Sequence, residues 1–150
     1  MGQVWYNETT GNLRVRQTTL TSAWASGGNM NTARNELVGA GTQTAGLAFG
    51  GTTPPVSALT EAYDGSSWTE VNDLNTARQD LASAGTTNTA ALAFGGAAPS
   101  MSGATESWNG TNWTEVNDMN TARQALGGSG TSTSALAFGG IVTVNLANNE

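Results

Sequence analysis

Three arginines, Arg34, Arg78 and Arg123, recur at steps of 44 and 45 residues, each closing the same Asn-Thr-Ala-Arg phrase. A ring of guanidinium forks at the mouth of a cavity would grip an anionic group. The alternative is that each arginine ties neighbouring repeats together, through backbone carbonyls or through the glutamate that also recurs, Glu61 and Glu106. Those two carboxylates could serve as an acid/base pair, but as equivalent positions of successive repeats they are expected to be structural. Trp24, Trp68 and Trp113 keep strict register and are expected to pack between repeats. Trp5, Tyr6 and Trp108 are less tied to the pattern and are the aromatic candidates for stacking on a ligand. The candidate binding set is therefore Arg34, Arg78, Arg123, Trp5, Tyr6 and Trp108, with no catalytic or metal-ligating residue in it.

The chain has no histidine and no cysteine. The common ligands of zinc, copper and haem are absent, as are the usual general base and every Ser-His or Cys-His nucleophile. No cofactor is expected, and calcium has no DxDxDG-like cluster to hold it. A net charge of −6, with five arginines and no lysine, offers no basic stripe to follow a phosphate backbone, so nucleic acid is not an expected partner. No apolar run reaches the length of a membrane span, and the first residues lack the basic and apolar regions of a signal peptide.

The elements that must position these residues come from a repeat. Asn31, Asn75 and Asn120 begin the Asn-Thr-Ala-Arg phrases, each seven residues after Trp24, Trp68 or Trp113. Phe49, Phe94 and Phe138 recur at the same period, each followed by a Gly pair. Each unit carries Thr, Gly, Ser and Asn throughout, which suits short strands and not helices. The segments LVGAGT, LASAGT and LGGSGT are small enough for innermost strands that converge. TQTAGLAFGG and its two counterparts read as half-buried strands. TEAYDGSSWTEV and TESWNGTNWTEV read as aromatic hairpins turning at Asp64-Gly65 and Asn109-Gly110. Every unit is thus four antiparallel strands. Links of the Asn-Thr-Ala-Arg type and the loops after the Gly pairs must then share one face, with the remaining turns on the other. The links barely change between copies while the loops TTPPVSAL, AAPSMSGA and IVTVNLAN change almost completely, and varied loops on a repeated frame are where binding specificity resides.

A Gly pair after an apolar strand, then Glu-x-aromatic at Glu61-Ala62-Tyr63 and Glu106-Ser107-Trp108, then Trp68 or Trp113 and an Asn-Thr-Ala-Arg link, resembles the Kelch repeat. The resemblance implies an all-β, Kelch-like β-propeller of four-stranded antiparallel blades, with repeats over residues 20–150 and units near 29–72, 73–117 and 118–150. The Asp64-Gly65-x-x-Trp68 run also brushes the sialidase Asp-box, with its Asp one residue too close to the Gly.

Three blades cannot close a ring of roughly four to eight. Ten residues after the second Gly of each pair stand Glu61, Glu106 and Glu150, which puts residue 150 in the middle of the third unit. Trp5-Tyr6-Asn7 stands in for Ala62-Tyr63-Asp64, and Trp24 for Trp68. Two readings follow: a homodimer in which strand exchange between two chains completes six blades, or a piece of a longer chain. Residues 1–19 read as a hairpin placing Val4 and Tyr6 against Leu13 and Val15. This segment is similar to the Gly-x-x-Trp-Tyr-Asn hairpins of phage tail-fibre and virion surface proteins. That similarity implies a non-catalytic module on a virion, outside the cell without a signal peptide, contacting host-surface glycan or a neighbouring virion subunit. The alternatives are a fragment of a propeller enzyme, sialidase-like or galactose-oxidase-like, and a Kelch adaptor binding an acidic peptide. The oxidase would need the His and Cys that the chain lacks.

Overall fold

The computed structural model of the chain describes the strands Gln3–Asn7 and Asn12–Arg16 and all of residues 26–142. It is all-β, with no helix among the described residues. Strands β1 (Gln3–Asn7) and β2 (Asn12–Arg16) form a hairpin in which Val4 faces Val15 and Tyr6 faces Leu13, the expected register. One four-stranded meander contains β3 (Val38–Thr42), β4 (Ala45–Phe49), β5 (Thr60–Tyr63) and β6 (Trp68–Val71), each pairing antiparallel with the next. A second contains β7 (Ala82–Thr87), β8 (Ala90–Phe94), β9 (Thr105–Trp108) and β10 (Trp113–Val116). Strands β11 (Gly127–Thr131) and β12 (Ser134–Phe138) form the start of a third unit as a two-stranded sheet. The expected order within a unit, from small residues to Leu/Phe, then Tyr or Trp, then Trp, is the observed one.

Strand β7 also explains why the period alternates between 44 and 45. Eighteen residues separate Asn31 from Phe49 and Asn120 from Phe138, but nineteen separate Asn75 from Phe94. The additional residue is absorbed by a register shift between Ala84 and Thr87, so β7 has six residues where β3 and β11 have five. A bulge takes up one residue on one strand without disturbing its partner, and the units stay aligned outside it.

Alternation along the strands decides which face packs where. Leu47 and Phe49 of β4 turn toward the second sheet and form a core with Leu74, Leu81, Ala91, Ala93, Trp108 and Trp113. Leu92 and Phe94 of β8 turn the other way and pack with Ala82, Ala84, Met119, Leu126 and Ala137. The sheets therefore stack face to face in series. Their first strands come close: Ser83 Oγ donates to Gly39 O at 2.7 Å, and a Cβ added at Gly128 would fall 2.4 Å from Ser83 O. Side chains larger than these would keep β3, β7 and β11 apart.

A second series of contacts precedes each first strand. Glu36, Asp80 and Ala125 occupy the same repeat position with φ of 56°, 53° and 51°. Asp80 N–H donates to Glu36 O at 3.2 Å, and Ala125 N–H to Asp80 O at 2.8 Å, one unit handing its carbonyl to the next. The left-handed conformation costs an alanine roughly 1–2 kcal/mol. Part of that cost would be offset by the larger chain entropy a glycine loses on folding. Ala125→Gly is expected to stabilise the fold by about 1 kcal/mol and raise Tm by about 2–4 °C. A thermal melt showing a lower Tm would rule this out.

Candidate functional site

Each Asn-Thr-Ala-Arg link docks onto the unit that follows it. Arg78 Nη2 donates to Glu106 Oε1 at 2.8 Å, and its Nη1 donates to the carbonyls of Gly95 and Ala104. Glu106 Oε2 accepts from Asn75 N–H at 2.7 Å and Asn75 Nδ2 at 2.9 Å. The preceding copy repeats this: Arg34 Nη2 reaches Glu61 Oε1 at 3.0 Å, its Nη1 reaches the carbonyls of Gly50 and Leu59, and Asn31 N–H donates to Glu61 Oε2 at 2.7 Å. In the third copy Arg123 Nη1 donates to Gly139 O at 3.1 Å. Glu150, where the count from the Gly pair places the carboxylate, lies outside the described residues.

The backbone of the same arginine holds the unit before it. Arg78 N–H donates to Ser57 O, and Arg78 O accepts from Gly51 N–H at 2.8 Å. Arg123 likewise bonds Ser102 O and Gly96 N–H. This accounts for the Gly pair: Gly50 has φ of 67°, and a Cβ there would meet Arg78 O at 2.7 Å.

The side chains of Arg34 and Arg78 and the whole of Arg123 have no solvent exposure. These guanidinium groups join units, and none faces outward to meet an anion. Burial pushes the Arg78 pKa down while Glu106 pulls it back up. Glu61 and Glu106 are 1 % exposed, which removes them as an acid/base pair open to substrate. Trp108 is also interior, at 2 %, with its Nε1 on Asn88 O and its ring 5.3 Å from that of Trp113. The side chains of Trp5 and Tyr6, and all of Trp24, lie outside what the structure describes.

Two repeated groups carry contacts that the sequence reading did not anticipate. Asp73 and Asp118 accept from Thr60 N–H and Thr105 N–H, while the Ser57 and Ser102 hydroxyls accept from Leu59 N–H and Ala104 N–H. The pair of Asp residues two positions before Asn75 and Asn120 was the available signal, weakened because Asn29 stands there in the first copy.

At the β5–β6 turn the Asp64 carboxylate accepts the backbone N–H groups of Ser66 and Ser67, each at 2.8 Å. These bonds hold its pKa down at about 2. Asn109 makes the same turn with a neutral amide, so the Asp-box echo is a turn device.

The links and the loops after the Gly pairs do share a face. Asn35 bridges to Thr52 and Gln79 to Ala97. Between the loops of the first two units lies a groove of about 500 Å³, with Pro55 and Val56 on one wall, Ala98 and Pro99 on the other, and Asn75 and Thr76 between. A cavity of about 470 Å³ runs along the glycine-rich strands β3, β7 and β11. Among the described residues no group of three or more acidic side chains is placed to hold a metal ion. No protein-family model and no curated protein matches the sequence.

Arg78→Met leaves the Glu106 charge buried and is expected to cost about 3–5 kcal/mol in urea unfolding. Glu106→Gln, which keeps an acceptor for Asn75, should cost less; equal losses would contradict the geometry. Asp64 has a folded pKa below its ordinary 3.8, so it stabilises above about pH 4 and loses that contribution as pH falls toward 2. Asp64→Asn should therefore show a smaller drop in Tm between pH 5 and pH 2 than the parent chain.

Proposed function

We propose that this chain is an arc of a Kelch-like β-propeller and acts as a non-catalytic binding or structural module. In this reading it is displayed on a virion and meets host-surface glycan or a neighbouring subunit through its link-and-loop face. The observation that carries the proposal is a constant set of backbone hydrogen bonds beneath changing side chains. Thr52 bridges both Asn35 and Val56, and Ala97 bridges Gln79 and Met101 in the same way. Ser57 N–H returns to Gly51 O as Ser102 N–H returns to Gly96 O, both at 2.8 Å. TTPPVS and AAPSMS coincide only at Pro54/Pro99 and Ser57/Ser102, yet they keep the same bridges and the same returning hydrogen bonds. Such an arrangement lets exposed residues vary for recognition while the frame stays intact.

The groove between these loops supports binding rather than turnover. Its amide, hydroxyl and apolar surfaces suit a polar, ring-containing ligand, and it contains no carboxylate, imidazole or thiol. The adaptor alternative, an acidic peptide gripped by an arginine ring, loses its means of attachment because those guanidinium groups are interior. The virion assignment rests on the likeness of the N-terminal hairpin.

Binding of the purified chain on a glycan array, with released sugar monitored in parallel, tests the proposal. The expected result is saturable binding without hydrolysis, weakened at least tenfold by Val56→Glu or Thr76→Glu at unchanged Tm. Hydrolysis of a bound glycoside would overturn the non-catalytic reading.

A further inference from the structure

The polar content of the groove between the loops of the first two units can be counted atom by atom. Asn75 spends its backbone N–H on Glu106 Oε2 at 2.7 Å, and its amide nitrogen on the same oxygen at 2.9 Å and on Trp113 O at 3.2 Å. An amide nitrogen has two hydrogens, so both are used and the plane of the carboxamide is held. The first link keeps its amide the same way round, with Asn31 Nδ2 on Trp68 O at 3.0 Å. What remains on the Asn75 side chain is Oδ1, an acceptor in a fixed direction to which no described residue donates.

Thr76 adds an exposed hydroxyl, able to donate or accept. Every other lining residue is Pro, Val or Ala. Pro55 and Pro99 have no backbone N–H to give, and Ala98 N–H is spent on Ser100 O at 2.9 Å. None of the lining residues carries a guanidinium, ammonium or imidazole, and the chain has a net charge of −6. An anion entering the groove would meet one hydroxyl and an unfavourable field. A ligand that fits must be uncharged, offer a donor to Asn75 Oδ1, and bring an apolar part for Val56, Ala77 and the prolines to cover. A plain hexose has donors without a methyl group, and a 6-deoxyhexose places its methyl on a carbon that bears no donor. An acetamido group carries N–H, carbonyl and methyl about a single carbon.

We infer that the groove binds an uncharged N-acetylhexosamine, its acetamido N–H donating to Asn75 Oδ1, its carbonyl accepting from the Thr76 hydroxyl and its methyl lying against Val56 and Ala77. The volume of about 500 Å³ falls within the roughly 300–1,000 Å³ of small-molecule sites. A polar group fixed toward a donor discriminates against analogues that lack the donor. The carboxylate that holds the Asn75 amide is the one that Arg78 pairs with, so the buried joint also aims the acceptor that the ligand meets. The inference rests on the glycan-binding reading given above and narrows it to one class of sugar.

Titration of the chain with methyl glycosides, followed by the NMR methyl resonances of Val56 and Ala77, tests it. The methyl glycoside of N-acetylglucosamine or of N-acetylgalactosamine is expected to saturate those shifts, with the unacetylated methyl hexosides about tenfold weaker. The 2-O-acetyl analogue keeps the carbonyl and the methyl but has no N–H, and it should also lose about tenfold. N-acetylneuraminic acid, which bears an acetamido group and a carboxylate, should lose at least as much. Thr76→Val should weaken the acetamido sugar several-fold at unchanged Tm. Equal affinity for the 2-O-acetyl and 2-acetamido sugars, or shifts led by a plain hexoside, an anionic sugar or N-acetyllysine, would overturn the assignment while leaving a binding module in place. Absence of any sugar-induced shift, with a glycan array that shows no binding, would sink both readings.

Discussion

A guanidinium removed from water needs close acceptors, and in this fold that requirement organises the rest. Desolvating an ion costs several kcal/mol even after relaxation, and only a close partner with further hydrogen bonds offsets it. Arg78 has one carboxylate and two carbonyls as acceptors for its terminal nitrogens, while its buried Nε has no hydrogen-bond partner. Each of those acceptors constrains something else. Glu106 must sit on β9 facing the link, Gly95 must turn its carbonyl inward, and the chain after it must return to offer Ala104. The Gly pair, the Glu-x-aromatic strand and the Asn-Thr-Ala-Arg link are a single device.

The device matters because the strands specify so little. A sheet identifies its own register when one face carries large apolar residues; Gly- and Ala-rich strands leave the register weakly defined. Here β3, β7 and β11 are made almost wholly of Gly, Ala, Ser and Thr, and close backbone approach forbids anything larger at Gly128. Apolar packing fixes the middle and outer strands through Leu47, Phe49 and Trp113, while the buried pairs Arg34–Glu61 and Arg78–Glu106 fix where one unit sits against the next. Such pairs add little net stability, but a misplaced unit would strand a charge, so they discriminate strongly against the wrong arrangement.

The repeat made much of this legible in the sequence. Strand order, the β1–β2 register, the sharing of a face by links and loops, and the packing of Trp113 between units all follow from period, turn residues and alternation. The choice between ligand grip and structural tie for Arg34, Arg78 and Arg123 was not legible, because it depends on whether a particular carbonyl comes within reach of a fork. The same holds for Asp73 and Asp118, whose side chains cap backbone N–H groups thirteen residues earlier. Left-handed Glu36, Asp80 and Ala125 left no trace either: three unlike residues share one φ since tertiary hydrogen bonds, not local preference, impose it.

Constancy of the joints and variation of the loops have one physical cause. A substitution at Asn75 or Arg78 of the link removes a donor that the buried Glu106 carboxylate needs, and the loss is that of an under-satisfied charge. A substitution at Val56 changes what the groove shows to solvent, because the hydrogen bonds that hold those loops run through backbone groups and the Ser57 and Ser102 hydroxyls. Recognition can therefore change without altering the frame, and the frame needs its polar joints intact for the loops to be presented at all.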